Sequence, residues 1–250
     1  MQRFDVRLFH SSVCAAFVLM SLAATVSAAT LFDDHFTGNS GGMPAGWSRI
    51  LATGDVVEAG TTVTLGGESE DGVMIGSRET VDPTTGTITI VTDFVVISGQ
   101  GASGLISGLE FPAACFFCAI RLRDSRVEVN TFESDEGGHY YDVGFLNGYT
   151  GGPIRLTLEM GPTTFSVSTD SPAFSSGPVL YSTVSPTFTR EDLGVAASAL
   201  LFDYGDEEGV PGRTIVDRIT IDGAASSSVT DAQAPGESET FGRIKALFRR

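Results

Sequence analysis

The sequence predicts an all-β protein, an antiparallel sandwich of two sheets, and three observations carry that expectation. Runs of β-branched residues alternate with polar ones, as in Thr87-Ile88-Thr89-Ile90 leading into Val91-Thr92-Asp93-Phe94-Val95-Val96-Ile97; period two marks a strand with one buried face. Turn residues recur at short intervals, many of them among the 30 glycines, which accept left-handed backbone without strain. Between Thr30 and Gly223 no segment keeps a helical period for more than a turn or two, although the Ala-rich run Glu191 to Leu201 leaves room for a short helix. About a dozen short strands with no helices between them argue a sandwich or barrel over βαβ units.

The chain opens with a different kind of segment. Arg3 and Arg7 precede an apolar run from Val13 to Val26, which ends in the small residues Val26-Ser27-Ala28-Ala29. That is the layout of a secretory signal peptide, residues 1–28, with cleavage expected after Ala28 or Ala29. A membrane anchor is the alternative, but the run is short and rich in Ala and Ser. No later segment is long and apolar enough to span a bilayer, so none is expected after cleavage.

Strands are then expected at Thr62–Leu65, Ala119–Arg123, Arg126–Val129, Tyr140–Phe145, Ile154–Met160, Thr164–Ser168, Leu200–Tyr204 and Thr214–Ile221. Asp124-Ser125 reads as a tight hairpin turn and Gly161-Pro162 as another corner. The sandwich should occupy residues 30–223. From 224 to 239 the chain is Ala, Ser, Gly, Asp and Glu with Pro235, the composition of a flexible linker. Residues 240–250 place Phe241, Ile244, Leu247 and Phe248 at helical spacing among Arg243, Lys245, Arg249 and Arg250, a short basic amphipathic tail.

The formal charge is −16, and Lys245 is the only lysine. Such a chain repels nucleic acid and anionic lipid, which excludes both as partners. Cys14 leaves with the signal segment. Cys115 and Cys118 remain and, in an exported protein, are expected to pair as a small structural clip in a hairpin. A redox Cys-x-x-Cys is the sharper alternative, but Pro112 and strand-like runs flank the pair instead of a helix start. A zinc site lacks ligands at suitable spacing.

The start runs Leu31-Phe32-Asp33-Asp34-His35-Phe36 followed by Met43-Pro44-Ala45-Gly46-Trp47. The end runs Thr214-Ile215-Val216-Asp217-Arg218-Ile219-Thr220-Ile221-Asp222-Gly223. Between them lie the strand-like runs Pro153 to Glu159 and Thr164 to Ser168. In this order they resemble the opening strand with its Pro-x-Gly-Trp, the closing strand and the paired central strands of concanavalin A-like (laminin-G-like) jelly-roll domains. The resemblance implies an antiparallel jelly roll whose first and last strands pair. It also implies one structural calcium near those strands, with Asp33 or Asp34 and Asp217 or Asp222 as candidate ligands. Lectins, glucanases and adhesion modules share this fold, so it does not decide function. The C-terminal tail resembles short basic tails of otherwise unrelated exported bacterial proteins, which implies a sorting or processing tag; a frayed terminus is the alternative.

Three readings of function follow. The first is an exported, non-catalytic binding module, secreted or held at a bacterial cell surface, with glycan as ligand class. Tyr140, Tyr141, Asn147 and Tyr149 are its candidate binding residues, because sugars stack on aromatics and hydrogen-bond to amides. Tyr140 and Tyr141 are successive, so one faces in and one out. The second is a laminarinase-like glycoside hydrolase. Such enzymes use Glu-x-Asp-x-x-Glu, which Glu128-Val129-Asn130-Thr131-Phe132-Glu133 matches except at Asn130. Retaining hydrolysis needs carboxyls about 5–5.5 Å apart. In plain alternation Glu128 and Glu133 point to opposite faces, so a bulge would be required. The third is a structural or adhesion protein of the cell surface. The acidic clusters Glu68-Ser69-Glu70-Asp71, Glu133-Ser134-Asp135-Glu136 and Asp203-Tyr204-Gly205-Asp206-Glu207-Glu208 have loop-like texture but lack EF-hand spacing.

Overall fold

The computed structural model describes residues 28–67, 72–110, 112–205 and 209–224. The signal segment, the linker and the tail lie outside the described residues, apart from Ala28 and Ala224, and so do Glu68 to Asp71 and Asp206 to Glu208. The described residues form strands β1 (Ala28–Asp34), β2 (Trp47–Ala52), β3 (Gly54–Ala59), β4 (Thr62–Gly67), β5 (Val73–Val81), β6 (Ile88–Ser98), β7 (Gln100–Ser107) and β8 (Ala114–Arg121). They continue as β9 (Arg126–Glu133), β10 (Gly137–Phe145), β11 (Pro153–Met160), β12 (Thr164–Thr169), β13 (Phe174–Ser175), β14 (Val179–Leu180), β15 (Ala197–Tyr204) and β16 (Arg213–Ala224). One turn of helix, α1 (Tyr181–Val184), and a 3-10 turn at Arg190–Leu193 complete the elements.

The strands make two antiparallel sheets. The nine-stranded sheet runs β13-β12-β11-β6-β16-β4-β3, with β1 also on β16 and β14 on β12; the seven-stranded sheet runs β10-β9-β8-β7-β15-β5-β2. The first and last strands pair, Asp33 opposite Thr220, as the terminal motifs predict. Alternation drives the packing. β6 buries every second residue, so Ile88, Ile90, Phe94 and Val96 enter the space between the sheets while Asp93 stays at the outer surface. Trp47 of β2 meets Phe32 of β1 edge-on at 5.9 Å, and its indole N–H donates to Asp34 at 2.6 Å, which joins the two sheets at one end. Phe116, Phe165, Tyr181 and Phe188 close the other end as an aromatic cluster.

The seven-stranded sheet is unusual in being apolar on its outer face as well. Met74, Ile106, Cys115, Phe117, Phe132, Leu200 and Phe202 form a second core there. Gly72 lies directly against the Phe202 ring: a Cβ on it would stand 2.5 Å from two ring carbons. Leu109 sits over Gly76, where a Cβ would stand 2.4 Å from its methyl.

Two expectations change. Cys115 and Cys118 are free thiols in mid-β8, not a clip in a hairpin. They are three apart on a strand, so they leave from opposite faces: Cys118 enters the core between the sheets and Cys115 the outer core. Burial pushes the Cys115 thiol up to about 12. It raises Cys118 too, with help from the nearby Glu128 charge. The Asp124-Ser125 hairpin is wider than a two-residue turn. Arg121 pairs with Arg126, leaving a four-residue loop that closes on Ser125 at φ 57°.

Candidate functional site

Cross-strand register places the polar groups of the seven-stranded sheet. Directly opposed residues in an antiparallel pair share a face. One row across the outer face reads Phe202, Ala102, Ala119, Glu128, Asp142, from β15 to β10. The next reads Leu200, Gly104, Phe117, Asn130, Tyr140. A third, at the strand ends, reads Tyr204, Gln100, Arg121, Arg126, Phe145. The face is therefore apolar over β15 and β7 and turns polar over β9 and β10.

At that polar end Glu128 is only 7% exposed. Arg121 Nη2 donates to Glu128 Oε1 at 3.0 Å. Arg126 Nη1 stands 3.7 Å from Glu128 and 3.5 Å from Asp142, bridging two carboxylates. Burial lifts the Glu128 carboxyl above its ordinary range, Arg121 pulls it back, and Asp142 pushes it further up. Asn130 and Gln100 are 4% and 8% exposed, yet no side-chain hydrogen bond joins either to another described residue. Neither side chain has a polar atom among the buried unpartnered ones of the described residues, so both amides reach the surface. Tyr140 and Phe145 rise beside them, 51% and 53% exposed, and the Arg126 guanidinium lies 5.8 Å over the Phe145 ring. Amide, carboxylate and aromatic groups thus converge on one edge of the face.

The predicted residues divide. Tyr140 belongs to this end of the face. Tyr141 pairs with Val129 and so leaves from the opposite face. Asn147 is exposed in the turn from Leu146 to Tyr149, beyond β10. Tyr149 is a core residue, not a binding one: it is 5% exposed and its hydroxyl donates to the Gly152 carbonyl. Glu128 and Glu133 are not brought together. β9 runs opposite β8 in unbroken register, so the bulge that would align them is absent. Glu133 leaves on the inner side and accepts hydrogen bonds from Ser185 and Thr187. The carboxylate facing Glu128 is Asp142 of the next strand.

The four predicted calcium ligands are not gathered either. Asp33 takes a two-pronged contact from Arg218 at 3.0 Å, Asp34 accepts from Trp47 and the Phe36 N–H, and Asp222 accepts from Thr30. Asp217 has a 3.5 Å contact from Thr61. Successive residues on a strand diverge, which separates Asp33 from Asp34. No group of three or more His, Cys, Asp or Glu side chains that could hold a metal occurs among the described residues. A depression of about 460 Å³ on the outer face of the nine-stranded sheet is bordered by Asp93, Arg155, Asp170 and Asp217. Its guanidinium is engaged by Asp93 at 2.6 and 2.7 Å.

No known family's sequence profile matches the chain. No curated protein matches it either. Solved structures do. The chain is similar to a non-specific endo-β-1,3(4)-glucanase of family GH16, at 10% identity and TM-score 0.51 over 79% of this chain and 91% of that one. It is similar to the laminarinase of Rhodothermus marinus, at 11% identity and TM-score 0.53 over 78% and 97%. It is also similar to an immunostimulatory antigen and pseudo-β-1,3-glucanase of Mycobacterium tuberculosis, at 13% identity and TM-score 0.53 over 78% and 98%. With its two antiparallel sheets and paired terminal strands, the chain has the concanavalin A-like jelly-roll fold of these proteins.

Proposed function

We propose that the chain is an exported, non-catalytic glycan-binding module, and that the glycan lies on the β9–β10 end of the outer face. The observation that carries this reading is Asn130. The residue is largely buried, but its amide reaches the surface without a protein partner, beside the buried Glu128 and at the foot of exposed Tyr140, which suits a polyol: sugar hydroxyls both donate and accept, and sugar C–H faces stack on aromatic rings. The named neighbours support a carbohydrate-related role through fold, and one of them is described as a pseudo-glucanase. Over β15 and β7 the same face is filled by Phe202, Leu200 and Ile106, which leaves binding room at the β10 edge.

A glycan array followed by titration calorimetry tests this. Asn130→Ala and Tyr140→Ala are each expected to weaken binding about tenfold or more, the scale of one lost polar or stacking contact, with the melting temperature held. An array with no binder would sink the proposal and leave the structural or adhesion reading.

One observation favours a second reading, hydrolysis. Glu128 and Asp142 are directly opposed on one face, with Arg126 Nη1 3.7 and 3.5 Å from them. A retaining glycosidase works with a pair of facing carboxyls. If the chain cleaves β-glucan, Glu128 is the acid and Asp142 its partner. Glu128→Gln would then abolish reducing-sugar release, whereas Glu133→Gln would leave it intact.

A further inference from the structure

We propose that the C-terminal tail, residues 240–250, folds back over the outer face of the seven-stranded sheet and covers its apolar part. This stands apart from the glycan reading, which uses the β9–β10 end of the same face.

A sheet face becomes fully buried when another layer lies on it. Met74, Ile106, Cys115, Phe117, Phe132 and Leu200 are fully buried on the outer face. No strand or helix among the described residues supplies that layer. The strands are all used in the two sheets, and the nine-stranded one lies on the inner side. α1 and the 3-10 turn bury Tyr181, Val184 and Leu193 in the core between the sheets. Leu109 over Gly76 and Gly72 against Phe202 reach only over β5 and β15. Two apolar stretches of sequence remain. Val13 to Val26 is expected to leave with the signal segment, which leaves Phe241 to Phe248.

Chemistry favours the tail. Phe241, Ile244, Leu247 and Phe248 fall on one side of a helix, and Arg243, Lys245, Arg249 and Arg250 on the other. A helix of that length, about 16 Å, is too short to persist alone, but an apolar floor gives its hydrophobic side a partner. Charge selects it as well. Four of the chain's 15 cations stand in residues 243–250, and none of its 31 carboxylates does. Glu110 follows Leu109 at the margin of the face, and Asp135 and Glu136 are exposed in the β9–β10 turn. The acidic surface that would repel a second copy of the chain attracts this segment.

The tether brings it to the right place. β6 and β7 meet at Gly99, so their far ends, Ile88 and Ser107, lie together at the opposite end of the sandwich, beside Ala114 and Glu133. β16 finishes there: Asp222 pairs with Thr89, and a Cβ on Gly86 would stand 3.2 Å from that of Ala224. Ile106, Cys115 and Phe132 form a cross-strand row near that same end. Packed sheets lie about 10 Å apart. Residues 225–239 span about 50 Å when extended and about 20 Å on average, so they can cross the rim. A tether of this kind holds the tail at an effective concentration on the order of millimolar, and weak contacts suffice to keep it down.

A hydrophobic dye tests this on the mature protein and on the same chain ending at Glu239. The expected result is dye fluorescence that rises several-fold on truncation while near-ultraviolet circular dichroism is kept, since the outer face opens and the core between the sheets does not. A synthetic peptide of residues 240–250, added to the shortened chain, should lower the signal again, and the same peptide with Ile244→Asp and Leu247→Asp should not. If the shortened chain loses its native circular dichroism, hydrogen exchange on the parent takes its place. Amides of residues 241–248 should then exchange about tenfold or more slowly than in the free peptide, at any protein concentration. A folded, shortened chain that binds no more dye than the parent, or a peptide without effect on it, would overturn the proposal. So would tail amides that exchange as fast as the free peptide, or whose protection grows with protein concentration, the mark of a second copy as partner.

Discussion

Asp203→Asn is expected to remove a pH dependence that the parent protein carries between about pH 4 and pH 7. Asp203 is fully buried in β15 and points between the sheets, where the Gly67 N–H donates to it at 2.8 Å and the Thr214 hydroxyl at 2.6 Å. Two glycines make room for it. A Cβ on Gly212 would stand 2.2 Å from its carboxyl oxygen, and one on Gly67 3.0 Å. Burial raises the carboxyl from its ordinary 3.8 to about 7, against the opposing pull of Thr214 and Gly67. Because the folded value lies above the unfolded one, the folded state holds the extra proton. The stabilisation is complete below about pH 3.8 and fades as pH rises to about 7. A gap of about three pH units corresponds to roughly 4 kcal/mol. Asn keeps an oxygen for Gly67 and offers an amide to Thr214, without a charge to desolvate. Denaturant titrations of both proteins from pH 4 to pH 8 should therefore diverge, the variant gaining on the parent as pH rises. Parallel curves would show that Asp203 does not titrate in this range.

Trp47→Ala should cost about 3–5 kcal/mol of stability, the scale for a large aromatic removed from a core. Trp47 is 2% exposed and sits on β2 of one sheet, against Phe32 of the other and against Phe36 at 5.6 Å. Truncation opens a cavity between the sheets and takes away the N–H that Asp34 accepts. Trp47→Phe comes nearer to isolating that last contribution: it keeps most of the ring and should cost less, about 1.5–3 kcal/mol for a hydrogen bond to a charged acceptor. Circular dichroism in a denaturant series reads both, since Trp47 is the sole tryptophan and fluorescence would vanish with it. A Trp47→Ala loss below about 1 kcal/mol would mean the site collapses around the gap.

Strands with one wet face are the more legible in the sequence; of those buried on both faces, β15 and β9 are read only in part, at Leu200–Tyr204 and Arg126–Val129, and others not at all. β6 and β11 alternate cleanly in burial and were read from periodicity alone. β7 escaped because it is buried on both faces and built of small residues, Gln100-Gly101-Ala102-Ser103-Gly104, which read like a loop. Packing explains the choice: a Cβ on Gly104 would stand 2.1 Å from the Phe116 carbonyl oxygen. β5 and the first half of β8 were hidden for the same reason, under an outer core that no local pattern announces. The site was partly visible. Glu128 and Tyr140 were singled out, but Asp142, Gln100 and Arg126 join them only across strands, and register between distant segments is not written in spacing. The Glu128–Glu133 pairing turned on a single bulge, which sequence leaves open and β9 lacks. The same arithmetic of alternation explains Cys115 and Cys118, read as partners for their closeness in sequence and parted by the pleat.

That parting makes the two thiols reporters of different events. Each is inert while shielded, because neither readily ionises in place. An alkylating reagent reaches Cys115 once the outer core loosens, but Cys118 only after the sheets themselves separate. Labelling rates at the two sulfurs, followed by mass spectrometry in mild denaturant, would time the loosening of each layer within one unmodified chain.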